Sequence, residues 1–180
     1  MNETKLLMAL LPVIFIFHDF EEIIMFKPWL AKNKSEIEKR FPKLNDLLNK
    51  KQIYSLSTSA FAVAVLHEFI LISIVAYLSL WYGAYYLWFA AFSAYFIHLL
   101  VHIGQWIIWR KYVPVIISSI IALPYCIYTL YLFIKNGQTS FEALLLWALI
   151  GVIITLLSFP SAFYFALKFN KWKSNYCNDK

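Results

Sequence analysis

Histidine and carboxylate residues stand together inside the apolar stretches of this sequence. All four of its histidines lie there with four of its ten acidic residues, and the eight are His18, Asp19, Glu21, Glu22, His67, Glu68, His98 and His102. An aspartate at the middle of a membrane helix costs roughly 2.5–3.5 kcal/mol on the insertion scale, so such residues require compensating interactions. Because imidazoles and carboxylates bind divalent cations and transfer protons, the pattern predicts a buried metal or proton-transfer site.

The spacing of these residues predicts which of them share a helix face. His18, Glu21 and Glu22 are three and four positions apart, so in a helix they point in one direction. His98 and His102 are four positions apart, an arrangement in which two imidazoles can hold one cation. Each set therefore has the geometry of a ligand group.

The predicted roles divide the eight residues into ligands and proton-transfer groups. The predicted metal ligands are His18, Glu22, His67, His98 and His102. The predicted proton-transfer groups are Glu21 and Glu68, while Asp19, about 100° around the helix from His18, is expected to support the ligands. His67 is adjacent to Glu68, so only one of the two can face the site directly. A ligand set without cysteine favours zinc or iron over copper(I), as one ion or as a dinuclear pair.

The composition indicates a membrane protein. Apolar residues make up 62% of the chain and charged residues 14%, with a mean hydropathy of +0.65. Soluble domains average about 25% charged residues, so this chain lacks the polar surface that water requires. The net charge of +6 does not indicate a nucleic-acid partner, because half of the basic residues lie in one segment between apolar stretches.

Five segments are long enough to cross a hydrocarbon core about 30 Å thick. They are Lys5–Phe26, Ser55–Leu80, Ala84–Trp109, Val113–Ile134 and Phe141–Phe169. The prediction is one all-α membrane domain over residues 1–180, a polytopic bundle of five transmembrane helices joined in part by short connectors at residues 81–83 and 135–138. With the N-terminus outside, every basic residue except Lys5 and Lys135 lies inside, Lys180 included, so the positive-inside rule predicts an N-out, C-in orientation.

The cytoplasmic loop, residues 27–52, is predicted to contain an amphipathic helix. Leu30, Ile37, Phe41 and Leu44 recur at helical spacing among lysines, and Pro42 interrupts the pattern. Such a segment lies on an anionic leaflet, and a solvated connector is the alternative. At 1.5 Å per residue, the histidines of the first three spans lie between the bilayer centre and the inner face, whereas the last two spans are expected to be scaffold or substrate wall.

The chain resembles a family of bacterial membrane proteins named for its HxxEE motif. The motif is present as His18-Asp19-Phe20-Glu21-Glu22, and the later His67-Glu68 and His98…His102 pairs fit the same pattern over most of the chain. The resemblance implies that these are the working residues of the family and that the chain lies in a bacterial inner membrane. It implies no reaction, because the function of the family is undefined.

The predicted function is that of a metal-dependent enzyme acting on a lipid or another hydrophobic substrate. A zinc hydrolase and a di-iron oxidase both suit the residues, whereas the multiple histidine boxes of membrane desaturases are not found. The alternatives are a cation or proton transporter and a structural membrane subunit with a buried polar network. Five spans without an inverted repeat, polar only in their inner halves, favour the enzyme.

Overall fold

The computed structural model of the protein describes residues 3–135 and 140–178, and every regular element in these ranges is helical. The elements are α1 (Glu3–Arg40), α2 (Pro42–Lys50), a 3-10 turn (Ile53–Ser55), α3 (Thr58–Tyr82), α4 (Tyr85–Trp109), α5 (Ile116–Lys135) and α6 (Phe141–Asn178). The all-α prediction is therefore confirmed. The predicted connector at residues 136–138 and Lys180 lie outside the described ranges.

Four of the described helices, α3 to α6, are long and apolar enough to cross a membrane. This number and length of apolar helices indicate a multi-pass membrane protein. In α1 the apolar stretch is interrupted by the charged residues Lys5, Asp19, Glu21 and Glu22. By composition, α1 is therefore not among the helices that are apolar enough to cross a membrane.

Local sequence signals account for where the helices begin and end. The hydroxyl of Ser57 accepts the backbone N–H of Ala60 at 3.2 Å and caps α3. Gly83 follows α3 at φ 68°, a left-handed conformation that glycine adopts without strain. Pro42 stands at the first position of α2, where a helix needs no N–H from it.

The segment predicted as a cytoplasmic loop, residues 27–52, is largely helical. α1 continues to Arg40, because the lysine, glutamate and alanine residues after Pro28 are good helix formers. The helix ends directly before Phe41 and Pro42. Leu30 and Ile37 are buried in the bundle and do not face a surface, whereas the exposed apolar side chains of α2 are those of Leu44 and Leu47.

Helix packing creates a bundle with two distinct ends. α1 packs on α3 and α5, and α6 packs on α4 and α3. α4 and α6 meet most closely at Gly151, where an added Cβ would lie 2.0 Å from the carbonyl oxygen of Ala90. We call the end with the Gly83 turn the Gly83 end and the opposite one the α2 end.

Candidate metal centre

Three histidines from two helices converge in the core. His18 comes from α1, His98 and His102 from α4, and one ring nitrogen of each lies within 4.8 Å of the others. The Nε2 atoms of His98 and His102 are 3.0 Å apart, and the ring of His18 contacts both imidazoles. Nitrogen ligands of a tetrahedral zinc ion are about 3.3 Å apart, so the three nitrogens can serve one cation after small adjustments.

A second group of ligand atoms adjoins the first. Oxygens of Asp19 and Glu22 and a nitrogen of His98 also lie within 4.8 Å of one another. His98 therefore belongs to both groups. The two adjacent groups could hold one ion with carboxylates beside it, or two ions.

Two buried atoms in these groups lack hydrogen-bond partners and could bind a cation. Nε2 of His18 and Oδ1 of Asp19 are 3.9 Å apart, and neither has a hydrogen-bond partner among the residues that the structure describes. Both residues are buried. An unpaired buried polar atom costs about 1–3 kcal/mol, which a cation bound to both atoms would offset.

Hydrogen bonds determine which nitrogen of His18 is available to a metal. Its Nδ1 lies 3.2 Å from the hydroxyl oxygen of Ser118, which donates to the Oε2 atom of Glu21 at 2.7 Å. Because the hydroxyl proton is directed to the carboxylate, its oxygen accepts the Nδ1–H of His18. The lone pair of Nε2 is left to face the cluster, in the arrangement that metal-binding histidines usually have.

His102 has the same kind of support on its own helix. Its Nδ1 is 3.0 Å from the side-chain oxygen of Gln105, one turn further along α4. The ring therefore donates through Nδ1, and its Nε2 lone pair faces His98. Both histidines are thus oriented for metal binding by bonds made away from the cluster.

Glu21 lies behind His18 and not beside the cluster. Its Oε1 atom accepts the hydroxyl of Tyr112 at 2.8 Å, and its Oε2 atom accepts both the N–H and the hydroxyl of Ser118 at 2.8 and 2.7 Å. Partial burial and the bond to Glu21 raise the pKa of Tyr112, which keeps this phenol a donor. Both oxygens of Glu21 thus accept hydrogen bonds from the first turn of α5 and from the connector that precedes it.

His67 and Glu68 form a separate polar group between α3 and α6. Nδ1 of His67 is 3.2 Å from Oε1 of Glu68, and its Nε2 is 3.1 Å from the hydroxyl of Ser161. The hydroxyl of Ser158 donates to the Oε2 atom of Glu68 at 2.8 Å. The groups of ligand atoms found among the described residues do not include His67.

A cavity of about 410 Å³ joins residues of both groups of ligand atoms to an apolar space between α1, α3, α4 and α6. The ionisable groups and the amide that line it are Asp19, Glu22, Glu68, Tyr95, His98, His102 and Gln105, whereas His18 does not line it. Glu21 and His67 are not among its lining residues. Of the predicted residues, the structure thus brings His18, Glu22, His98 and His102 together, adds Asp19, holds Glu68 across the cavity and leaves Glu21 and His67 apart.

Sequence reasoning missed the serines and the tyrosine that support the site. Ser118 and Tyr112 hold Glu21, and Ser158 and Ser161 hold the pair on α3. Serine occurs in nearly every apolar stretch of the chain, usually as a packing residue, so nothing distinguished these positions. α5 and α6 therefore do more than scaffold the site.

Comparison with known proteins gives one match. The profile of a family described as "Protein of unknown function with HXXEE motif" matches residues 9–129. The matched range contains both groups of ligand atoms together with Tyr112 and Ser118, but not Ser158 and Ser161. No curated protein and no solved structure matches the chain.

Proposed function

The chain belongs to the family of proteins of unknown function with an HXXEE motif, and from its own geometry we propose that it is a membrane-embedded, metal-dependent enzyme, a hydrolase acting on a lipid or another hydrophobic substrate. The observation that carries the proposal is the unpaired His18 Nε2 and Asp19 Oδ1, buried beside two further histidines, with Asp19 and those two histidines lining a largely apolar cavity. Intramembrane ionisable groups of this kind are conserved for function far more often than for packing.

The residues that would hold the metal are the three histidines of the first group. A set of nitrogen and oxygen ligands without thiolate suits zinc or iron. When bound, such a cation polarises a carbonyl group and lowers the pKa of a coordinated water to about 7. Asp19 and Glu22 stand next to these histidines, where a carboxylate can accept the proton of the attacking water.

The remaining cavity residues complete a hydrolysis of an ester or amide. Glu68, on the α3 wall of the cavity, would take the water proton from Asp19 or Glu22 and pass it to the leaving group, so that the hydroxyl of water goes to one product and its proton to the other. Glu21 and Ser118 hold the imidazole of His18 in one orientation. The apolar walls exclude bulk water, which strengthens each electrostatic interaction inside.

A second reaction, the oxidation of an acyl chain by dioxygen with two electrons from an external donor at a site that would hold two iron ions, is favoured by one observation. The carboxylates of Asp19 and Glu22 adjoin the histidine group through the shared His98. Dinuclear iron sites in helix bundles use such mixed sets of carboxylate and histidine ligands. The metal content distinguishes the reactions, since a dinuclear centre would bring two irons per chain.

We also propose that α1 is a fifth span and that the protein lies N-out and C-in in a bacterial inner membrane. In support, α1 carries exposed apolar side chains at Phe17, Phe20 and Ile24, which lipid would cover. The basic residues are concentrated in the segments that this orientation places inside. Leu44 and Leu47 of α2 are exposed, as expected of an amphipathic helix on the cytoplasmic leaflet.

The rival class, a cation or proton transporter, is less favoured by the cavity. Toward the Gly83 end its lining includes Leu71, Val75, Leu87 and Ala91, with the phenol of Tyr95 one turn from His98. A cation moving past Tyr95 would meet no carboxylate or imidazole among these residues, and a bare charge in such surroundings is strongly unfavourable. Uptake of metal or protons into proteoliposomes by the purified protein would support the transporter.

The experiment that tests the proposal is metal analysis of detergent-purified protein by mass spectrometry. We expect about one zinc, or one to two irons, per chain. His98→Ala and His102→Ala should remove it, whereas His67→Ala, a matched histidine in the same bundle, should retain it. A wild-type protein that holds no metal and shows no affinity for zinc or iron would contradict the proposal.

A further inference from the structure

The cavity has one polar region and one long apolar arm. On α4 its lining follows a single stripe from Gln105 through His98 to Leu87. His98 and Leu87 are eleven residues apart, or about 17 Å along the helix. The arm is the part of the cavity beyond His98 toward the Gly83 end, and apart from Tyr95 the lining residues of α4 in this stretch, from Leu87 to Ala94, are apolar.

Small residues keep this arm open. Ala94 and Ala91 lie one and two turns from His98 on the stripe of α4 that faces the cavity. Opposite them, Gly151 allows the backbone of α6 to contact that of α4 at Ala90. An alanine stripe alone would be ordinary helix packing, but here it lines a cavity that Asp19 also lines, and Oδ1 of Asp19 is buried without a hydrogen-bond partner among the described residues.

The size and the openings of the cavity specify its occupant. Its volume of about 410 Å³ is near the lower end of the range for small-molecule sites, roughly 300–1,000 Å³, and suits one hydrocarbon chain. Val101 on α4 and Ile154 on α6 line it and are 51% and 53% exposed. The cavity therefore reaches the lipid-facing surface of the bundle at apolar side chains.

We propose that the arm binds a single acyl chain, with the polar head of the lipid at the metal groups, and that Ala94 and Ala91 determine the chain length that fits. This inference deepens the proposed function and rests on it in taking the polar end as the reaction centre. The chain enters from the bilayer beside Val101 and Ile154 and extends toward Leu87. Burial of successive methylenes in the arm provides the binding energy.

Two substitutions test the order of the positions. In Ala94→Leu the added side chain closes the arm one turn from His98, and in Ala91→Leu it closes the arm about 4.5 Å further on. Each methylene excluded from the arm lowers affinity about fourfold. The longest saturated fatty acid bound tightly should therefore be shortest for Ala94→Leu, intermediate for Ala91→Leu and longest for the wild type.

The probes are saturated fatty acids of eight to eighteen carbons, with binding measured by native mass spectrometry of the detergent-purified full chain. Ala122→Leu is the matched control, because Ala122 is a buried alanine of the same core that does not line the cavity. It should keep the wild-type preference. Equal preference in all four proteins, or an effect of Ala122→Leu as large as that of Ala94→Leu, would overturn the proposal.

A measurement on the unmodified chain guards against variants that fail to fold. A fatty acid with a photoreactive diazirine at its last carbon should label α4 near Leu87 and Ala91, and one with the diazirine near the carboxyl should label it near His98 and Val101. Labelling in the opposite order, or at neither place, would overturn the proposal. Metal content measured on the same samples separates this failure from failure of the proposed function.

Discussion

The two polar groups in the bundle both combine histidine with a carboxylate. They differ in whether each nitrogen and oxygen of these side chains has a hydrogen-bond partner. Between α3 and α6, each nitrogen of His67 and each oxygen of Glu68 has a partner, supplied in part by Ser158 and Ser161. Between α1 and α4, Nε2 of His18 and Oδ1 of Asp19 face each other without one. A histidine beside a carboxylate is therefore insufficient to indicate a candidate metal site. The distinguishing property of the group on α1 and α4 is its pair of buried atoms without hydrogen-bond partners.

The largest effect that would sharpen this comparison is expected at His98. Because it belongs to both groups of ligand atoms, His98→Ala should lower metal affinity by more than the roughly 10–100-fold that is typical of residues supporting a ligand. His67→Ala should leave affinity within the error of a competition titration with a chelator. Equal losses in the two variants would remove the distinction between the groups.

The next effect concerns the residues behind the histidines. Ser118→Ala removes the acceptor of the His18 Nδ1–H, so we expect a 10–100-fold loss of metal affinity with the ligands still present. Ser161→Ala makes the matching change at His67 and should not alter metal binding. A Ser118→Ala protein with wild-type affinity would show that the Glu21–Ser118–His18 chain does not orient the ligand.

In the absence of metal, one substitution in each group should change the free energy of unfolding differently. Ser158→Ala leaves an oxygen of Glu68 unpaired and should destabilise the fold by about 0.6 kcal/mol, the average for side-chain hydrogen bonds within membranes, and by no more than about 1.7 kcal/mol. Asp19→Asn supplies a donor next to His18 Nε2 and should stabilise the metal-free protein or leave it unchanged. Unfolding in mixed micelles with chelator present measures both, and a destabilised Asp19→Asn protein would count against the unpaired acceptor.

The smallest effect on stability is expected at Glu36, which lies outside both groups. It serves as a reference for the pH dependence of unfolding. Hydrogen bonds from Lys111, and then from Arg40, lower the pKa of this exposed carboxylate. A carboxylate with a lowered pKa in the folded state stabilises the protein above its usual pKa of about 4.3, and the contribution is lost as the pH falls below that value.

Glu36→Gln should accordingly lower the unfolding midpoint slightly at pH 7 and have a smaller effect near pH 3. The comparison uses thermal unfolding of wild type and variant in the same detergent. A difference that grows toward low pH would contradict this sign.

Residue type and spacing alone predicted the all-helical fold and much of the candidate site. Apolar segments of membrane length determine helices because backbone polar groups have no other partners in lipid. The i, i+4 spacing places His98 and His102 side by side on α4, whichever helix α4 packs against. The position of His18 along its own predicted span places it at the same depth in the membrane. Zinc or iron and an acyl substrate remain predictions.

What only the tertiary structure decided is the rotation of each helix about its axis. On α1, His18 and Glu21 meet Ser118 of α5, whereas Asp19 and Glu22 line the cavity. The roles predicted for Glu21 and Asp19 stay predictions. The helical pattern specifies which residues share a face but not which neighbour that face meets. That choice depends on long-range packing, which brings residues about a hundred positions apart into contact, as at His18 and Ser118.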